Sequence, residues 1–189
     1  DTEWRGSLVD PGLLESRAGR RELSTIAERY YRVTREAIRR YDPHHLILGD
    51  RWEANAPLPE EVVRAALPHV DVLSFQCFGT VDNIATKMGR WADFINRPVL
   101  LADAAGHIRA PGDTSWPPTA DRKQDGYHYR QTMDALWRIP QSVGYPLCGA
   151  YIQNHARRYG FRDRTNTVIP ETMEGIRAVN ADIQKRIRG

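Results

Sequence analysis

The chain has 189 residues, of which 41% are hydrophobic and 27% charged, with a net charge of +3 and two cysteines. That length and apolar content suffice for a single domain, residues 1–189, with a core that needs no disulfide or metal to hold it. No apolar run reaches the roughly 20 residues of a membrane-spanning helix. Arg alternates with Glu in "RRELSTIAERYYRVTREAIRR", the mark of a solvated helix face and not of a nucleic-acid footprint.

Leu23, Ile26, Tyr30, Val33, Ile38 and Tyr41 recur at helical spacing from Glu22 to Tyr41, and Asp42-Pro43 ends the run, so a long amphipathic helix is expected there. The short apolar "HLILGD" that follows is expected to be a buried strand ending near Asp50, with "RWEANAPLP" as a loop. The cycle then repeats. A helix over 59–67, the strand "VDVLSFQ", a helix over 81–96 and the strand "PVLLAD" come next. After a Gly- and Pro-rich loop over 104–119, a helix over 120–137, the strand "PLCGAYIQ" and a helix over 171–187 complete the order. Near-continuous apolar strands that alternate with helices indicate an α/β fold with a parallel sheet.

Cys77 and Cys148 sit inside strand-like runs, without CxxC spacing. This reads as two buried thiols, with a disulfide as the alternative. No glycine-rich phosphate loop follows any strand, which disfavours nucleotide binding. The expected strand ends carry polar and aromatic residues instead: Asp50, Arg51 and Trp52; Gln76 and Phe78; Asp103 and His107; Gln153, Asn154 and His155. Chemistry in parallel α/β folds sits at the C-terminal ends of strands. Asp103, which closes an apolar strand before Ala-Ala-Gly, reads as a site carboxylate or a loop cap. Asp50 and Arg51 read as an ion pair or as substrate contacts. His44, His45 and His69 are expected to be structural, and His128 to pack or face solvent.

"ERYYRVTREAIRRYDPHHLILGDRW", "VDVLSFQCFG", "NRPVLLADAAG" and "YPLCGAYIQNHARRYGFRD" with the closing "ETMEGIRAVNADI" together resemble the second half of a TIM-barrel glycoside hydrolase. The resemblance is to the retaining, paired-carboxylate superfamily, and within it to β-agarase and β-galactosidase-like members. It implies strands five to eight of a (βα)8 barrel, with the end of strand four at "DTEW". Glu3 then takes the position of the general acid/base at the end of strand four, and Asp103 that of the nucleophile at the end of strand seven. Taken alone, Glu3 reads equally well as a solvated residue near a terminus.

Cleavage of a glycosidic bond needs one carboxylic acid to protonate the leaving oxygen and one carboxylate to attack or stabilise C1. Trp52, Phe78, Trp116 and Tyr151 are candidates for flat faces against sugar rings. Gln76, Gln153 and Asn154 are candidates to bind hydroxyls, and Asp50, Arg51, His107 and His155 to line the site. The family carries Glu where this chain has Asp103, and strand eight reads "YIQNH" where a tryptophan platform is usual. The shorter side chain sets the carboxylate back by roughly 1 Å, which favours either an inverting course through water or loss of turnover.

The expected activity is therefore that of a glycoside hydrolase on a poly- or oligosaccharide. One alternative is a carbohydrate-binding pseudo-enzyme. Another is a metal-dependent hydrolase with Asp103, His107 and His155 as ligands. No cofactor is implied, nor any nucleic acid or membrane partner. The hydrolase class points to a secreted or periplasmic protein, although no signal peptide is recognisable. A half barrel leaves sheet edges and an apolar face open. The chain is thus expected to need the N-terminal half of the barrel or to self-associate.

Overall fold

A computed structural model describes residues 12–104, 125–146, 161–163 and 165–189. The expected strand 146–153, apart from Pro146, lies outside the described residues, as do Cys148 and most of the loop over 104–119. The fold is α/β, with helices and parallel strands, and the chain divides into two compact units, Asp1–Ser74 and Phe75–Gly189.

The first unit holds α1 (Gly12–Glu15), α2 (Arg17–Tyr41), β1 (Arg51–Glu53), α3 (Glu60–Ala66) and the start of β2 (Leu73–Gln76), which neighbours β1. Helix α2 begins five residues before the expected Glu22, because the Ser16 side chain accepts from the Gly19 amide at 2.9 Å and caps an earlier turn. The periodicity also misplaced its buried face. Ile26, Tyr30, Val33, Ile38 and Tyr41 are exposed, and Ala27 and Tyr31, one residue further on, are buried. Ser24 and Arg20 tie α2 to Glu61 of α3. Three more arginines of α2 pair with acids, Arg32 with Glu28 and Glu36, and Arg35 and Arg39 with Asp71.

The expected strand 45–50 is corrected. Regular pairing starts at Arg51, inside the expected loop. Residue Ile47 is buried and its carbonyl accepts from the Asp71 amide at 2.8 Å, but its own amide is taken by the Asp71 carboxylate, also at 2.8 Å. Gly49 then turns the chain at φ +65°, and a Cβ there would lie 2.8 Å from Val70 Cγ1. A side chain in the ladder and a left-handed glycine both break the regular run.

Asp71 therefore joins two arginines of α2 to the segment before β1. The Ile47 amide, aided by Arg35 and Arg39 against partial burial, holds its carboxyl below the ordinary 3.8. A depressed folded value stabilises above the unfolded pKa and loses that contribution as pH falls through the folded one. Asp71→Ala is expected to cost about 1–3 kcal/mol at neutral pH, since it leaves the Ile47 amide and two guanidinium groups without their shared acceptor. In urea unfolding at a series of pH values, its deficit against wild type should be constant above about pH 5 and shrink below about pH 4.

The second unit continues from β2 through α4 (Val81–Ile95), β3 (Val99–Asp103), α5 (Asp125–Trp137) and α6 (Pro170–Arg188). Strand β3 neighbours β2. Residues 141–144 also pair with β3: the Val99 amide donates to the Gln141 carbonyl and the Val143 amide to the Val99 carbonyl, both at 2.9 Å. Parallel pairing thus begins ahead of the expected strand at Pro146.

Phe75, Ile84, Met88, Val99 and Leu101 are fully buried, and Phe75 stacks on Trp91 at 5.6 Å. Asn96 ends α4 in the left-handed conformation. Cys77 is buried, and so is His128 in α5. None of the described helices is long and apolar enough to cross a membrane.

Candidate functional site

Two groups of the expected site residues fall among the described ones, one in each unit. In the first unit, the turn at Gly49 delivers Asp50 to the start of β1. Its carboxylate accepts from the Tyr31 hydroxyl at 2.8 Å and from the Tyr30 hydroxyl at 3.3 Å. Tyr31 is only 5% exposed, and burial, then the bond to and the charge of Asp50, raise its phenol well above the ordinary 10. The Asp50 charge is the main cause of a rise at Tyr30 as well. Both phenols therefore stay protonated as donors at neutral pH.

The Trp52 ring meets Tyr31 edge-on with centroids 6.0 Å apart. A cleft of about 250 Å³ lies alongside, lined by Tyr30, Tyr31, Ile38, Leu48 and Asp50 among others.

In the second unit, Gln76 ends β2 and Asp103 ends β3. The two ends are joined by the Cys77 amide, which donates to the Asp103 carbonyl at 2.9 Å. Alternation along β3 buries Val99, Leu101 and Asp103, and Asp103 is 4% exposed. A carboxylate that deep at a strand end is the kind of group catalysis employs, because desolvation strengthens its electrostatic effect on a bound ligand. The adjoining Ala104 carbonyl accepts from the Tyr145 hydroxyl at 3.4 Å. Phe78, 42% exposed after the buried Cys77, stands on the turn that follows β2.

Solved glycoside hydrolases share this fold. An exo-β-agarase is 26% identical with a TM-score of 0.74, over 90% of this chain and 24% of its own. Another agarase is 22% identical with a TM-score of 0.72, over 94% of this chain and 28% of its own. A β-glucuronidase of an uncultured Clostridium species, 13% identical, matches 82% of this chain and 29% of its own with a TM-score of 0.58. The fold is that of glycoside hydrolases. No family model matches the chain, and no curated protein does. The chain spans about a quarter of the length of the agarase structures.

Within this glycoside hydrolase fold, Asp50, Arg51 and Trp52 are consecutive at β1, and Gln76, Phe78 and Asp103 gather at the ends of β2 and β3. Glu3, His107, Trp116, Tyr151, Gln153, Asn154 and His155 lie outside the described residues, and so do two of the three ligands of the metal alternative. Sequence reasoning missed Tyr30 and Tyr31 as partners of Asp50, and also Asn83 and Tyr145. The paired tyrosines upstream of "GD" are the one available signal, and only Tyr30 of the two falls in the apolar stripe read from the sequence.

Proposed function

We propose that this chain is the C-terminal half of the (βα)8 catalytic domain of a glycoside hydrolase that cleaves an O-glycosidic bond in a poly- or oligosaccharide. Asp103 acts as its nucleophile or base, and Glu3 as its acid. The observation that carries this reading is the buried carboxylate of Asp103 at the end of a parallel strand, next to an exposed aromatic, in a fold shared with an exo-β-agarase. An oxocarbenium-like transition state is stabilised by such an anion, and the apolar faces of Phe78 and Trp52 suit sugar rings.

The exposed stripe of α2 and the exposed Leu46 and Leu48 support a second part of the reading. Large apolar residues at helical spacing seldom face water without a partner, and the N-terminal half of the barrel is the cover we assign to them. The substrate class follows the agarases, and the protein is secreted or periplasmic by class.

The product anomer tests the reading. The complete domain is incubated with an agarose oligosaccharide and followed by proton NMR. Retained configuration is expected if Asp103 attacks directly, and inverted configuration if it activates water across the wider gap left by the shorter side chain. Binding without turnover, unchanged in Asp103→Asn, would replace the hydrolase by a carbohydrate-binding pseudo-enzyme.

A further inference from the structure

The turn that carries Phe78 is held from both sides. Behind it, the Cys77 amide is tied to the end of β3 by its 2.9 Å bond to the Asp103 carbonyl. Ahead of it, α4 begins at the Thr80 cap, whose hydroxyl accepts from the Asn83 amide at 3.2 Å. The Asn83 side chain then folds back out of the helix. Its Nδ2 donates to the Phe78 carbonyl at 2.8 Å and approaches Cys77 Sγ at 3.7 Å. Gly79 lies between at φ +120°, and a Cβ there would stand 3.1 Å from Asn83 Nδ2. The glycine thus supplies both the backbone conformation and the room for the amide.

Helix capping alone does not call for this arrangement. An N3 side chain that reaches back in a capping box bonds the amide of the cap residue, whereas Asn83 bonds a carbonyl two residues before the cap. The bond fixes the peptide plane that follows Phe78. Meanwhile Phe75 and Cys77 are fully buried and Phe78 is left 42% exposed. An aromatic held in water on a turn fixed at both ends is preorganised for a ligand, because the entropy of ordering the turn is lost on folding and not on binding.

From this geometry we infer that Asn83 is a positioning residue. It holds the Cys77–Thr80 turn so that Phe78 stands as a fixed apolar platform for a sugar ring beside Asp103. The inference rests on the carbohydrate reading above, and it names Phe78 as a specificity determinant through which Asn83 acts.

Asn83→Asp separates positioning from capping. An acid at N3 suits the helix dipole and preserves α4, but a carboxylate cannot donate to the Phe78 carbonyl. With the full chain, amide hydrogen exchange over 77–80 is expected to rise about fivefold or more in Asn83→Asp, with α4 and β3 unchanged. Asn83→Gln, which restores a donor, should return exchange toward wild type. Affinity for an agarose-derived tetrasaccharide, measured by calorimetry in an Asp103→Asn background, should fall about tenfold in Asn83→Asp and in Phe78→Ala alike, with no further loss in the double variant.

Unchanged exchange in Asn83→Asp overturns the assignment whatever the sugar does. A loosened turn with unaltered affinity reduces Asn83 to a structural clamp and overturns it too. A wild-type chain that binds no sugar, yet shows the exchange difference, fails the carbohydrate reading and leaves Asn83 as the anchor of the turn alone.

Discussion

Asp103→Asn in the complete catalytic domain is expected to lower kcat on agarose oligosaccharides by on the order of 10²- to 10⁴-fold, with KM little changed. The replacement is nearly isosteric, which matters at a position only 4% exposed. It also spares the bond between β2 and β3, since the Cys77 amide donates to the main-chain carbonyl of Asp103 and not to its side chain. What it removes is the negative charge. Asparagine can neither attack C1 nor take a proton from water, so the loss falls on the transition state and not on ground-state binding. Steady-state kinetics beside a thermal melt check this. A variant that melts with wild type and turns over at a comparable rate would take Asp103 out of the chemistry and leave it a buried strand-end carboxylate.

The strand that carries Asp103 was legible because "VLLAD" is apolar, short and bounded by Pro98 and by Ala-Ala-Gly, and β3 runs over Val99–Asp103. Helices α3, α4 and α6 were legible to within a residue or so for the same reason, their apolar spacing being stopped by Pro, Asn or charge. What escaped depends on contacts between residues far apart in the chain. Asp71 occupies the place of a ladder partner at Ile47, and a short apolar run gives no sign that a side chain will do so. In α2 the periodicity was correctly helical, but periodicity does not say which of two adjacent stripes meets the rest of the unit. Ala27 and Tyr31 lie on the buried one because Tyr31 finds Asp50, nineteen residues away. Asn83 reads in sequence as an ordinary residue of a first helical turn. Only the fold brings its amide to the Phe78 carbonyl, and a single sequence holds no signal for that.

Two glycine substitutions in helices of the second unit are expected to act in opposite directions. Gly126 of α5 and Gly175 of α6 face each other so closely that a Cβ on Gly175 would lie 2.6 Å from the Gly126 Cα. The obstacle is backbone, so it cannot rotate aside. Relief requires α5 and α6 to part by roughly 1 Å to restore a normal carbon–carbon separation. That movement strains the bonds along the same interface, where the Tyr129 hydroxyl donates to Asn180 at 2.9 Å, Arg130 pairs with Asp182, and Arg186 meets Asp134 at 2.8 Å. Overpacking of this kind typically costs about 1–3 kcal/mol, occasionally more, which outweighs the gain of up to about 1 kcal/mol from alanine's better helix propensity. Gly175→Ala should therefore melt several degrees below wild type. Gly89 of α4 has nothing within 4 Å of the same added methyl, so the propensity term acts alone and Gly89→Ala should gain about 0.5–1 kcal/mol. Differential scanning calorimetry of the pair checks both signs at once. If Gly175→Ala proved as stable as Gly89→Ala, the close crossing of α5 and α6 would not exist in solution.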